Sequence, residues 1–370
     1  MTPKDINYSY RATERLIYEY TAYLSSHSIT STVLIPDYYL TIKNGSKAKL
    51  INDKYRKVKT KFIHGIKLSL PFKFDMYFYL NLPSNGFVYL PYSLYNHIIN
   101  LFLARKNSKF IIGSHSMHIK NGLLLPEHAL LENLFKKFLQ LFLTNTNIMR
   151  NLYFHALTQE QVLYLEQLKI PRKHIFLVPN FIDTKQFHIG INKIKKLRVL
   201  HVGGASKRAD VVLLIIENLI RKRILSNFEF YFIGEMPSFF STKKFSNIHY
   251  LGKISDKKKI SVLSKMDVIL LPASEVFPLT LLEGMASGLM VISANNSISR
   301  ELRKLHANII INTSGTIENY SNILFNLYKS KRKHGFPYIF KLQNRDIVIE
   351  NFSSLKILPK FQEVIHNIIN

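Results

Sequence analysis

The sequence predicts an α/β protein built from two Rossmann-like domains facing a cleft. Three observations carry this. The chain has 370 residues, too many for one ordinary core and enough for two. Hydrophobic residues make up 47% of it, so both cores can be filled. From Arg198 onward, short apolar runs alternate with amphipathic stretches, and the runs close on glycine or proline.

In the first half, residues 13–25 read as a helix with Leu16, Ile17, Tyr20 and Leu24 on one side. Residues 32–35, 57–62, 76–80, 110–112 and 153–156 read as strands. A helix at 159–168 and a strand at 174–178 follow, and residues 179–196, with Pro179, Asn180, Asp183 and Gly190, read as a linker. In the second half, strands are expected at 198–202 before Gly203-Gly204, at 228–233 before Gly234, at 248–251 before Gly252 and at 268–271 before Pro272. Residues 291–292 and 309–311 continue the series. These runs are continuous and rich in branched residues, as strands buried on both faces are. Helical patterns at 210–224 and 257–265 lie between them, which is the doubly wound rhythm. A last helix is expected at 353–369. The expected division is 1–185, 186–350 and a closing helix within 351–370 that returns to the first domain. A Rossmann-like domain usually opens on a buried strand. Only Asp5-Ile6-Asn7-Tyr8 is available for it, so that strand reads as vestigial or missing.

Composition narrows the chemistry. There is no cysteine, so disulfides and thiolate metal ligands are excluded. The first ten residues are mostly polar, unlike a secretory leader. No apolar run reaches the roughly 18 residues of a membrane span; residues 129–143 are broken by Glu132, Lys136, Lys137 and Gln140. The expectation is a cytoplasmic protein. The formal net charge is +27, spread evenly: residues 1–190 hold 24 basic and 11 acidic groups, residues 191–370 hold 27 and 13. Such a field favours polyanions, anionic membranes or phosphate-rich ligands, and compositional bias produces it equally well. Residues 43–73 concentrate it, with ten basic residues from Lys43 to Lys73 against Asp53. Lys57, Lys59 and Lys61 would share one face of a strand. That face is either a contact for an anionic membrane surface or a lysine-protected sheet edge.

The most informative segment runs from Leu271 to Gly288: strand end, loop, helix, stop. Pro278 suits a first helical turn and Gly288 a stop. Glu275 then lies beside a helix N-terminus, whose backbone N–H groups favour phosphate. Glu283 lies further along, and a carboxylate accepts from two neighbouring hydroxyls. No acidic pair or histidine cluster is spaced for an essential metal ion.

Glu275 and Glu283, inside Pro272-Ala273-Ser274-Glu275 and Leu281-Leu282-Glu283-Gly284-Met285-Ala286-Ser287-Gly288, resemble the signature of the retaining family-4 glycosyltransferases, also called group 1, which have the GT-B fold. Four further segments extend the resemblance: Val178-Pro179-Asn180-Phe181-Ile182-Asp183, Val202-Gly203-Gly204 with Lys207-Arg208, Phe232-Ile233-Gly234, and Tyr250-Leu251-Gly252. The match covers about residues 174–315 well and the first half loosely.

The resemblance implies transfer of a hexose from a nucleotide diphosphate sugar to a glycan or lipid-linked acceptor, with retained configuration and no cofactor. Glu275 would bind the sugar's hydroxyls and Glu283 the ribose. The amides of Phe277, Pro278, Leu279 and Thr280 would hold the diphosphate, with Lys207 and Arg208 neutralising it beside Gly203 and Gly204. Gly234 would end the next strand, and Gly252 and Lys253 would lie against the base. His115 would face the acceptor, with His118 competing for that role and Arg11 standing in the first turn. Asn295-Asn296 replaces the family's usual Gly-Gly ahead of Glu301, and Tyr10-Arg11-Ala12-Thr13 replaces its first glycine-rich turn. Read without the resemblance, Lys207 and Arg208 fit a solvated helix start, and residues 253–259 a charged helix face. Two rival classes stay open: a non-catalytic binding module on the same frame, and a DNA-directed glycosyltransferase, which the charge favours but no nucleic-acid motif supports.

Overall fold

The structure is a computed structural model that describes residues 12–29, 33–36, 60–63, 65–69, 75–79, 87–90, 109–113, 149–190, 194–203, 207–234, 245–335 and 338–369. The chain divides into two compact units, residues 1–180 with 357–370, and residues 181–356.

In the first unit, helix α1 spans Ala12–Ser26, and strands β1 (Val33–Pro36) and β2 (Thr60–Ile63) pair in parallel. Strands β3 (Gly65–Ser69) and β4 (Asp75–Tyr79) form an antiparallel pair. The central sheet is parallel, ordered β5 (Phe87–Leu90), β6 (Lys109–Gly113), β7 (Leu152–Ala156) and β8 (Ile175–Leu177). Helix α2, Gln159–Gln167, starts where Thr158 accepts from the Gln161 backbone N–H, and its Val162 and Leu165 bury with Phe110, Ile112, Leu152 and Phe154. On β7, His155 is fully buried: its Nε2 donates to Val178 O at 2.6 Å, so Nδ1 accepts from the Tyr89 hydroxyl at 2.6 Å. Burial pushes its pKa down to about 4.

The second unit holds a six-stranded parallel sheet. Its strands are β9 (Leu197–Val202), β10 (Phe228–Ile233), β11 (Ile248–Tyr250), β12 (Val268–Leu271), β13 (Met290–Ala294) and β14 (Ile309–Asn312). The order across the sheet is β11-β10-β9-β12-β13-β14, the Rossmann order. Helices α3 (Ala209–Arg221), α4 (Asp256–Leu263), α5 (Leu279–Ala286) and α6 (Ser297–Lys304) connect the strands. They are followed by α7 (Ile317–His334), α8 (Tyr338–Phe352) and α9 (Ser354–Ile369), which belongs to the first unit from Ile357 onward. Val212, Ile215, Ile216 and Leu219 of α3 join Leu324 and Tyr328 of α7 over Leu197, Val199, Phe228 and Phe230. At the strands' amino ends, Asp267 and Lys331 form a buried ion pair at 2.6 Å; the same carboxylate accepts from Arg198 N at 2.9 Å.

Two local expectations change, and others fall on residues that are not described. Residues 181–187 are not a loose tether: Phe181, Ile182 and Phe187 are buried, and Ile182 bonds with Phe352 and Ser354 through the backbone. Apolar side chains at those positions draw the segment into the second unit. Strand β2 is described over Thr60–Ile63, overlapping the expected strand, while Lys57, Lys59 and residues 129–143 lie outside the described residues. Pro278 precedes α5 as its cap residue, and Gly288 stops the turn after it with φ of 76°. Among the described residues no helix is long and apolar enough to cross a membrane.

Candidate functional site

Strands β9 and β12 are neighbours although two strands and two helices separate them in the chain. At such a reversal of order the connections leave in opposite directions, and a crevice opens at the carboxyl ends of the strands. The residues that follow both strands meet there.

Glycines shape the floor. Gly203, after β9, has φ of 131°, and a Cβ there would stand 2.2 Å from Lys207 Cγ. Gly234, after β10, has φ of 118°, and its Cβ would stand 2.9 Å from the Gly203 carbonyl carbon. Only glycine allows both this backbone and this approach. Gly203 N donates to Ile233 O at 2.7 Å, Gly234 N to Gly252 O at 2.9 Å, and the Tyr250 hydroxyl to Gly234 O at 2.8 Å. The ends of β9, β10 and β11 are thereby tied in a row.

Above this floor, Lys207 Nζ forms an ion pair with the Glu275 carboxylate. The two side chains are 41% and 22% exposed. A pair so open to solvent contributes about 0–1 kcal/mol, so an incoming ligand can divide it at little cost. The Asp267–Lys331 pair, at 2% and 6% exposure, is structural by the same criterion.

Glu275 stands in the loop before α5. No side chain caps that helix. Pro278 has no N–H, so the amides at this end are those of Phe277, Leu279 and Thr280. The Phe277 ring is buried edge-on against Phe352, with centroids 5.7 Å apart.

Glu283 is 2% exposed inside α5. Its Oε1 accepts from Lys259 Nζ at 2.9 Å, and Lys259 also pairs with Asp256 at 3.4 Å. Lys257 and Lys258 are exposed, but the Lys259 side chain is only 15% exposed. The charged-face expectation for residues 253–259 therefore fails at Lys259, which turns inward.

Arg208 is left-handed, with φ of 61°, at the cap of α3. Its guanidinium holds Asp210 by two bonds of 3.1 Å and keeps that carboxyl below its ordinary pKa. His201, one residue before the end of β9, is buried. Its Nδ1 donates to Leu270 O at 3.1 Å, leaving Nε2 without a partner among the described residues. Burial lowers its pKa, against the opposing Leu270 bond and Asp210 charge. Among the described residues no group of three His, Asp or Glu side chains is placed to hold a metal ion.

Residues 196–329, which include β9 to β14 and both glutamates, match the family described as glycosyl transferases group 1. The chain carries a group 1 glycosyltransferase segment within its second unit. No curated protein sequence matches it. Solved structures resemble the chain along nearly its whole length and assign it the GT-B fold. Sucrose-phosphate synthase from Thermosynechococcus elongatus is 11% identical with a TM-score of 0.71, covering 99% of this chain and 97% of its own. A glycosyltransferase from Rickettsia africae is 15% identical with a TM-score of 0.66, covering 96% and 94%. HepE from Anabaena, solved with UDP and glucose, is 11% identical with a TM-score of 0.64, covering 97% of each chain.

In the second unit, Gly203, Gly234 and Gly252 share one floor, Lys207 meets Glu275, and Glu283 lies within the following helix. Arg208 is turned to Asp210, and Lys253 is exposed. Gly204, Arg11, His115 and His118 lie outside the described residues. Asn296, in place of the family's glycine, caps α6 by accepting from Ser299 N at 2.9 Å. Sequence patterns missed Lys259 and His201. The signal for His201 was a histidine inside a buried run beside two glycines; for Lys259 there was none, because three successive lysines look alike until a partner helix is in place.

Proposed function

We propose that the protein is a retaining hexosyltransferase of the group 1 glycosyltransferases. It draws on a nucleoside diphosphate sugar, of the UDP type, and transfers to a glycan or lipid-linked acceptor. The single observation that carries this is the Lys207–Glu275 ion pair at the reversal of strand order. The pair presents a cation for a diphosphate and a carboxylate for sugar hydroxyls, held together while no donor divides them.

As the bond between the anomeric carbon and the diphosphate oxygen breaks, the oxygen keeps the electron pair. Lys207 and the amides of Phe277, Leu279 and Thr280 stabilise that growing charge. Glu275 orients the sugar, Glu283 accepts from the ribose, and the turn at Gly252 and Lys253 lies against the base. Arg208 joins the diphosphate only by leaving Asp210. The UDP assignment is supported by HepE, which has been solved with UDP-glucose. His115, or His118 in its place, serves the acceptor side with Arg11, and residues 43–73 hold the enzyme at an anionic membrane where a lipid-linked acceptor is presented.

The test is hydrolysis and transfer across UDP-, GDP- and ADP-sugars. UDP-sugars should be consumed, and Glu275→Gln and Glu283→Gln should each lose most turnover with circular dichroism unchanged. Full turnover in both variants defeats the site assignment. In parallel, vesicles with anionic lipid should bind wild type, and Lys57→Ser/Lys59→Ser/Lys61→Ser should release it without loss of donor hydrolysis. Unchanged vesicle binding defeats the membrane contact.

A further inference from the structure

Lys259 enters none of the roles above, yet the structure sets it apart from its neighbours. Helix α4 begins at Ser255, whose side chain accepts from Lys258 N, and presents Asp256, Lys257 and Lys258 to solvent. The next residue turns inward. Its ammonium reaches Glu283 at 2.9 Å and Asp256 at 3.4 Å. Helix α4 is also the element that follows the Gly252 turn, so Lys259 bridges the base side of the site and the carboxylate assigned to ribose.

The partner's setting makes this contact consequential. Glu283 is 2% exposed, and its helical neighbours Leu281, Leu282, Met285 and Ala286 are buried and apolar. A carboxylate side chain buried there is held by the hydrogen bonds it accepts. By donating to Oε1, Lys259 fixes the plane of the carboxylate and leaves Oε2 in a set direction. That acts on the group that meets the ribose.

We infer that Lys259 is a positioning residue for the donor's ribose: it holds the Glu283 carboxylate in one orientation, and so sets the preference for a ribonucleotide over its deoxy counterpart. The inference rests on the donor reading above. A purely structural lysine would compensate Glu283 without affecting which nucleotide binds.

The experiment titrates UDP and 2′-deoxy-UDP by calorimetry against wild type, Lys259→Met, Lys259→Arg and Glu283→Gln. Wild type should prefer UDP by about tenfold, the worth of a charge-assisted bond to one hydroxyl. Lys259→Met, similar in length and uncharged, should bring the ratio near unity. Lys259→Arg should retain most of it, which also answers any loss of folding in the Met variant. If Glu283→Gln keeps the wild-type ratio, or wild type binds no UDP, the donor reading fails and takes this inference with it. If Glu283→Gln loses the ratio while Lys259→Met keeps it, the role of Lys259 alone is overturned.

Discussion

Lys207 and Glu275 are bound to each other across the junction of β9 and β12, although 68 positions separate them in the chain. The two charges wait on opposite sides of the place where the sheet reverses its order. A diphosphate entering there exchanges one anionic partner of Lys207 for another. Lys207→Ala should therefore weaken UDP by about tenfold or more, the scale of a lost charge-assisted bond, and leave uridine nearly unchanged. Calorimetry on both ligands checks this, and equal losses would count against a phosphate role. Arg208→Ala should have a smaller effect, because Asp210 already occupies that guanidinium.

Gly203 sets the height of Lys207. A methyl group at 203 would overlap Lys207 Cγ and would also require an L residue at φ of 131°. Gly203→Ala should cost turnover far more than nucleoside affinity, because it displaces the Lys207 side chain and leaves Glu283 in place. Steady-state hydrolysis alongside uridine titration separates the two. Unchanged turnover would show that the loop absorbs the methyl.

Asp267 should be a stability residue with no part in donor chemistry. Asp267→Asn strands the buried Lys331 ammonium at the far edge of the sheet, at a cost of about 3–5 kcal/mol. Thermal unfolding should fall sharply. Asp267→Leu/Lys331→Met should recover much of the loss, since neither charge of the pair is then left buried without the other. Failure of the double variant to improve on Asp267→Asn would place the loss in the Arg198 N–H bond instead.

His155 makes the first unit sensitive to acid. Its pKa is held at about 4, below the ordinary 6.5, so the native state stays neutral where the unfolded chain takes up a proton. Stability from this group is full above pH 6.5, declines as pH falls toward 4, and levels below that, with a total near 3 kcal/mol on the order of the shift. His155→Phe should start less stable at neutral pH, because the Tyr89 hydroxyl and Val178 O lose their partner. Its unfolding midpoint should then change less between pH 6.5 and 4.5. Parallel pH profiles in the two proteins would assign the acid sensitivity elsewhere.

By itself the sequence determined what local patterns can carry. Continuous apolar runs at 198–202, 228–233 and 268–271 became strands because burial on both faces demands such runs. Gly203, Gly234 and Gly252 marked their ends because backbone with positive φ excludes most other residues. Glu275 and Glu283 stood out through the loop and helix that carry them. Short elements escaped: Gly65–Ser69 offers only Ile66 and Leu68 to a periodicity, and Phe87–Leu90 is four residues long. What only the tertiary structure decided is which charges meet. Lys207 could be a solvated helix start, and Lys259 one more exposed lysine, until strand order brings β9 beside β12 and packing brings α4 beside α5. Those contacts span 68 and 24 positions, and no pattern within a helix or strand encodes them. They follow from the sheet's reversal of order, a property of the whole assembled core that no single segment contains.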